Sequence, residues 1–224
     1  MPQKKFSKGI IAEGGIIVGS AETGNYLHID IDGALFLHGD ATVYEDLRVP
    51  VSSTKLGGTK DPDFSVYKVA AGSSQGVFLY FFDAGTEEEL YFDAQLSHMY
   101  RLGTSVTPHV HWVSPTGGSA GETVSWGLEY TFAGIGEQFP SPSIMYSNTR
   151  SAGDSAIVAD KHYLTALGSV PIAASGVSAM LICRIFRDAT STGCADTFDD
   201  DAGLLEVDFH MELDSIGSRQ LFTK

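Results

Sequence analysis

The 224 residues carry 28 acids against 14 Lys and Arg, a formal net charge of −14 that repels nucleic acid. With 43% apolar and 19% charged residues the composition is that of a globular chain, long enough for one large domain with a terminal arm. No apolar run reaches the roughly eighteen residues of a membrane helix, and no signal-peptide core follows Met1-Pro2-Gln3-Lys4-Lys5-Phe6, so neither a membrane nor an export route is expected.

Lys4, Lys5 and Lys8 stand out as three of the fourteen cations within eight residues, and an arm that docks on an acidic surface is one reading of them. Residues 1–24 are glycine-rich, with one short apolar piece at Ile16-Ile17-Val18. Leu27, Ile29 and Ile31 then alternate with His28, Asp30 and Asp32, and Asp32-Gly33 signals a hairpin turn. Residues 1–40 therefore read as an arm with a small β-hairpin. A lone hairpin is marginal in water, so Ile16, Ile17, Leu27, Ile29 and Ile31 join the lysines as candidate anchoring residues.

Residues 41–224 read as a β-sandwich body. Glycine is abundant, at 25 residues, and short alternating runs are punctuated by Gly and Pro, with no helix-strand repeat. The first run is 41–51, followed by a polar loop at 52–64. Residues 77–82 are continuously apolar, the mark of a strand covered on both faces or packed on another subunit. Glu87-Glu88-Glu89 reads as a solvated turn. Three alternating runs at 90–97, 106–113 and 124–132 place Leu90, Phe92, Val110, Trp112, Trp126 and Leu128 on inner faces. Pro108 demands a strand start, a bulge or an edge. Residues 133–151 read as a long Gly/Pro-rich loop, 162–168 and 179–186 as strands, and 205–213 as the cleanest strand in the chain. In that last run Leu205, Val207, Phe209, Met211 and Leu213 face inward, and Glu206, Asp208, His210 and Glu212 face outward. Eight or nine strands after residue 40 predict an all-β, antiparallel sandwich of jelly-roll type.

The candidate chemistry is sparse. His109 and His111, two apart on a strand, point to one face, a spacing used by metal ligands in cupin-type jelly rolls. His98, eleven residues earlier, is a candidate third ligand, although no carboxylate follows at the cupin spacing. The pair reads first, however, as polar-face histidines hydrogen-bonded within the sheet or at a subunit contact, with the metal as the alternative. His210 lies between Asp208 and Glu212, which favour imidazolium. Asp196, Asp199, Asp200 and Asp201 have a calcium loop's composition without its fixed positions. Cys183 sits in an apolar run and Cys194 in a loop, with no Cys-x-x-Cys, as suits a reducing cytoplasm. No P-loop, nucleophile elbow, dinucleotide fingerprint or zincin helix occurs. No catalytic set is assembled, and no cofactor is expected.

Several segments carry a resemblance. Gly39-Asp40-Ala41-Thr42-Val43-Tyr44-Glu45-Asp46-Leu47 comes first, then Gly103-Thr104 leading into Pro108-His109-Val110-His111-Trp112, then Trp126-Gly127-Leu128-Glu129-Tyr130. Near the end stand Asp208-Phe209-His210 and Gly217-Ser218-Arg219-Gln220. From about residue 39 onward the chain resembles tailed-bacteriophage virion structural proteins. The resemblance implies a self-associating β-sandwich, as a trimer, assembled in the host cytoplasm into the virion, with no catalytic residues. The expectation is a non-enzymatic head decoration or cement protein anchored through residues 1–40 on the major capsid protein lattice. The first alternative is a tail or head fibre whose loops at 52–64 and 133–151 contact host glycan. The second is a cupin-like metalloprotein using His98, His109 and His111.

Overall fold

The computed structural model describes residues 14–72, 74–172 and 177–224. Lys4, Lys5 and Lys8 lie outside the described residues. The described chain is all-β. It opens with an antiparallel meander, β1 (Ile16–Ser20), β2 (Asn25–Ile29) and β3 (Leu35–His38). The expected hairpin thus gains a third strand, because the apolar piece at Ile16-Ile17-Val18 pairs back along β2. Ile16, Leu27 and Ile29 are half-buried there, while Ile17 and Ile31 remain 53% and 72% exposed. The meander is tied to the body: Leu37 N–H donates to Asp214 at 2.7 Å, and Thr42 donates to Glu212 at 2.5 Å.

The body follows as β4 (Val43–Pro50), β5 (Lys55–Leu56), β6 (Asp63–Lys68), β7 (Val77–Phe82), β8 (Glu89–Gln95) and β9 (Ser105–Val113). It continues as β10 (Trp126–Ala133), β11 (Ser143–Ser147), β12 (Tyr163–Ala166), β13 (Val170–Pro171), β14 (Met180–Arg187) and β15 (Ala202–Leu213). One sheet has the order β11-β10-β14-β8-β5; the other runs β12-β9-β15-β7-β6, with β13 also on β9 and β4 also on β15. The sheets pack face to face. Phe82 of one sheet meets Trp126 of the other edge-on at 5.1 Å, and Phe92 and Phe209 cross the same interface at 6.2 Å. The inner faces of the three alternating runs are buried as their phase requires, including both tryptophans. Trp112 donates its indole N–H to Thr165 at 3.0 Å.

Strand β15 is the central one. It pairs with β9 along one edge and with β7 and then β4 along the other. A register shift between Leu204 and Glu206 changes its phase, so Leu204 is buried and Leu205 half-buried, not the inward-facing residue expected. Pro108 sits mid-strand in β9. Its carbonyl accepts from Leu167 N–H at 2.9 Å, and in an antiparallel ladder a residue's N and O face the same neighbour. The missing N–H therefore faces the gap between β12 and β13, where no ladder bond is lost.

Other expectations change for local reasons. The 52–64 and 133–151 loops each contain a short strand, β5 and β11, pairing with β8 and β10. The 77–82 strand is covered only at its far end: Phe81 and Phe82 are buried, but Val77 and Phe78 are exposed, because β15 pairs with β7 only from Tyr80 to Phe82. The glutamate turn is not simply solvated, since Arg184 binds Glu89 at 2.5 Å and Glu87 at 3.3 Å.

The acidic 196–201 loop is held by Arg187, which is fully buried. Its guanidinium grips Asp196 through two bonds of 2.8 and 2.9 Å and donates to the carbonyls of Phe82, Phe198 and Asp200. Asp196 is thereby committed to a cation already present in the chain, which removes it from a calcium shell. Breaking a buried ion pair from one side leaves the other charge uncompensated, at a cost of about 3–5 kcal/mol. Asp196→Ala is therefore expected to lose stability of that order in urea unfolding, whereas an exposed change such as Arg48→Ala leaves the midpoint nearly unchanged; equal losses would show that Arg187 does not organise this loop.

Candidate functional site

Three side chains converge on the outer face of the larger sheet. His109 lies directly across from Asp208 in the β9–β15 register, and His111 is two residues further on the same face of β9. Cross-strand and diagonal neighbours at this spacing lie within reach of long side chains. His111 Nε2 is 2.6 Å from Asp208 Oδ2, and His109 Nδ1 is 3.1 Å from Asp208 Oδ1. Potential ligand atoms of the three residues all lie within 4.8 Å of one another. The second contact is close but not aligned as a hydrogen bond, so Asp208 Oδ1 is buried without a hydrogen-bond partner. The Asp208 side chain is only 4% exposed.

The surroundings isolate this carboxylate. Arg48 stands opposite Asp208 on β4, but its guanidinium is spent on Glu206 in a fork of two 2.7 Å bonds. His210 turns to Asp46 at 2.7 Å and stacks on Tyr44, while Glu212 binds Arg101 at 2.6 Å. The acids flanking His210 are thus engaged elsewhere, and its own partner comes from the neighbouring strand. His162, just before β12, places its Nε2 2.8 Å from His111 Nδ1. The result is a chain His162–His111–Asp208, with His109 beside it stacked on His210.

The electrostatics agree with this arrangement. The hydrogen bond to Asp208 raises the His111 pKa, against the effect of burial. Burial, aided by the neighbouring His111, lowers that of His162. Burial would raise the Asp208 carboxyl, but the two imidazoles beside it outweigh that and hold it below the ordinary carboxylate range. The grouping can share protons along a line of three residues or hold a small cation against a buried carboxylate.

His98 does not join it. Its ring nitrogens are taken by Ser218 at 2.5 Å and Ser178 at 2.9 Å, so it pins the end of β8 to the C-terminal tail. Proximity in sequence misassigned it, because the turn after β8 carries the chain away before β9 begins. The residue that completes the histidine pair is Asp208, ninety-seven positions from His111. Its sequence signal was an acid alternating with inward hydrophobics on the longest strand, and its placement on an outward face was right. Its burial was not legible, since it depends on β15 lying between two neighbours.

Of the clefts among the described residues, one of about 420 Å³ separates the β2–β3 turn from the tail around Ile216 and Arg219. Another, of about 380 Å³, lies over Tyr91, Phe139 and Ile182 on the smaller sheet. Neither contains the histidine cluster.

No family model matches the chain, and no curated protein matches it. Among solved structures, the crystal structure of dimeric latent PorU from Porphyromonas gingivalis aligns at 11% identity and a TM-score of 0.31, covering 77% of this chain and 13% of that one.

Both cysteines are free. Burial pushes the Cys183 thiol up to about 12, which leaves it unreactive, while Cys194 is half-exposed. A thiol reagent is expected to titrate one cysteine per native chain and two in denaturant. Two rapidly reacting native thiols would contradict the buried placement of Cys183.

Proposed function

We propose that this chain is a non-enzymatic structural protein of a tailed-phage particle, a head decoration or cement protein that self-associates and binds the capsid surface. The observation that carries the reading is apolar surface left over after the sandwich has closed its core. Phe64 and Phe78, 61% and 42% exposed, stack at 5.4 Å on the outermost hairpin of the larger sheet, with Val66, directly across from Phe78, exposed beside them. The outer edge of β6, unpaired among the described residues, adds backbone to the same patch. Contiguous exposed apolar surface of this kind marks protein–protein contact. Further exposed apolar side chains, Ile17, Val18 and Ile31, stand on the meander that follows the basic residues. The resemblance to phage virion proteins supplies the setting, in which the two regions divide the work: β6–β7 joins subunits as a trimer, and residues 1–40 meet the major capsid protein.

The strand order supports the jelly-roll reading of the body. Strands β7, β15, β9 and β12 are neighbours in one sheet and β8, β14, β10 and β11 in the other, as when four antiparallel strand pairs wrap into two layers. A trimer presents three arms to a repeating lattice, and linked weak contacts gain through effective concentration.

Light scattering is expected to give about three times the 23.9 kDa chain mass. Phe64→Asp combined with Phe78→Asp is expected to give a folded monomer. A monomeric wild type, or an unaffected double variant, would remove the β6–β7 interface. Deleting residues 1–40 is expected to abolish sedimentation with empty capsids while the remaining body stays trimeric; undiminished capsid binding would remove the anchoring assignment.

A further inference from the structure

We propose that His109, His111 and Asp208 form a binding site for one divalent transition-metal ion of the zinc type, a feature that goes beyond the structural role above. Two observations meet here. The first is the donor set itself: two imidazole nitrogens and a carboxylate from adjacent strands, with their potential ligand atoms within 4.8 Å of one another. Tetrahedral ligands at zinc–nitrogen and zinc–oxygen distances stand about 3.4 Å apart, so small side-chain shifts bring these atoms to a common centre. The second is the state of the carboxylate itself. Asp208 Oδ1 is buried on a side chain 4% exposed, and its close neighbour, His109 Nδ1 at 3.1 Å, is not aligned as a hydrogen bond. A buried anionic oxygen without a donor is costly. Arg48, opposite Asp208 on β4, gives its forked bonds to Glu206 and does not bond this oxygen. A cation between the carboxylate and the imidazoles would.

The neighbours suit a metal. His111 ligates through the Nε2 that now faces Asp208, and its other nitrogen is already placed 2.8 Å from His162 Nε2. On binding, His111 carries its proton on Nδ1 and donates it to His162, which fixes the ring's tautomer and orientation as outer-shell partners of metal-bound histidines do. The His109 and His111 side chains are 16% and 21% exposed, so the ion has a route in and water can complete its coordination. Mixed nitrogen and oxygen donors select a borderline ion of the zinc, cobalt or copper class over calcium or magnesium.

The test is titration of the full chain, stripped with a chelator, with zinc chloride followed by calorimetry and thermal unfolding. The expected result is saturable binding of one ion per chain with a raised unfolding midpoint. His109→Gln, His111→Gln and Asp208→Asn, each checked for native circular dichroism, are expected to abolish it. His162→Ala is expected to weaken it about tenfold or more, and His98→Ala to leave it unchanged. Copper(II) substitution of the wild type supplies a readout that needs no variant: paramagnetic resonance should show coupling to two imidazole nitrogens. Absence of saturable zinc binding, binding that survives His111→Gln in a folded variant, or a copper spectrum without nitrogen coupling would each overturn the proposal. None of these outcomes touches the trimer or the capsid contact, so the two accounts fail separately.

Discussion

The structure depends on β15 having a partner along both edges. A twelve-residue strand held by β9 on one side and by β7 and β4 on the other fixes the register of the larger sheet. Its inner side chains supply Phe209 to the contact with Phe92, so the same strand sets how the two sheets meet. Its outer side chains are crowded by those of β4 and β9. That is why Asp208, on a face that alternation marks as polar, is taken out of water, and why its ionic partners are decided by neighbouring strands and not by its own. The buried Arg187–Asp196 pair closes the opposite problem, a surplus of acid next to the core, by bringing the loop to the charge.

Much of the body was legible because long half-buried strands carry their own evidence. The runs around Leu90, Val110, Trp126 and Phe209 alternate over enough residues to fix strand, phase and inner face together. The short edge strands were not legible. Ser143–Ser147 lies among prolines and glycines, and Lys55–Leu56 is two residues long; both exist because a neighbouring strand offers an open ladder, a fact absent from local sequence. The continuously apolar run ending in Phe82 predicts a strand covered on both faces or packed on another subunit, and within a single chain only its inner half is covered. The reading of Leu205 failed at a bulge, where one extra residue changes the phase of a strand that otherwise alternates cleanly.

The site shows the same division. That His109 and His111 share a face follows from their spacing alone. That His162 and Asp208 meet them, and that His98 does not, follows from tertiary register across 51 and 97 residues. Side-chain type and strand phase can be read locally, whereas the identity of a cross-strand neighbour requires the sheet order. The meander illustrates a further limit: Ile17 and Ile31 stay outside the core, so their apolar character is explained by the folded chain only as surface.

A sandwich that completes its own core yet keeps aromatic surface on its outermost hairpin is suited to assembly, and the proposed role sets that assembly on a capsid. The most direct measurement is a cryo-electron reconstruction of purified particles of a phage whose genome encodes this chain. The account predicts threefold density on the head, with the β6–β7 hairpins at the centre of each trimer and the N-terminal residues against the lattice. Density on the tail alone, or absence of the chain from purified particles, would contradict it.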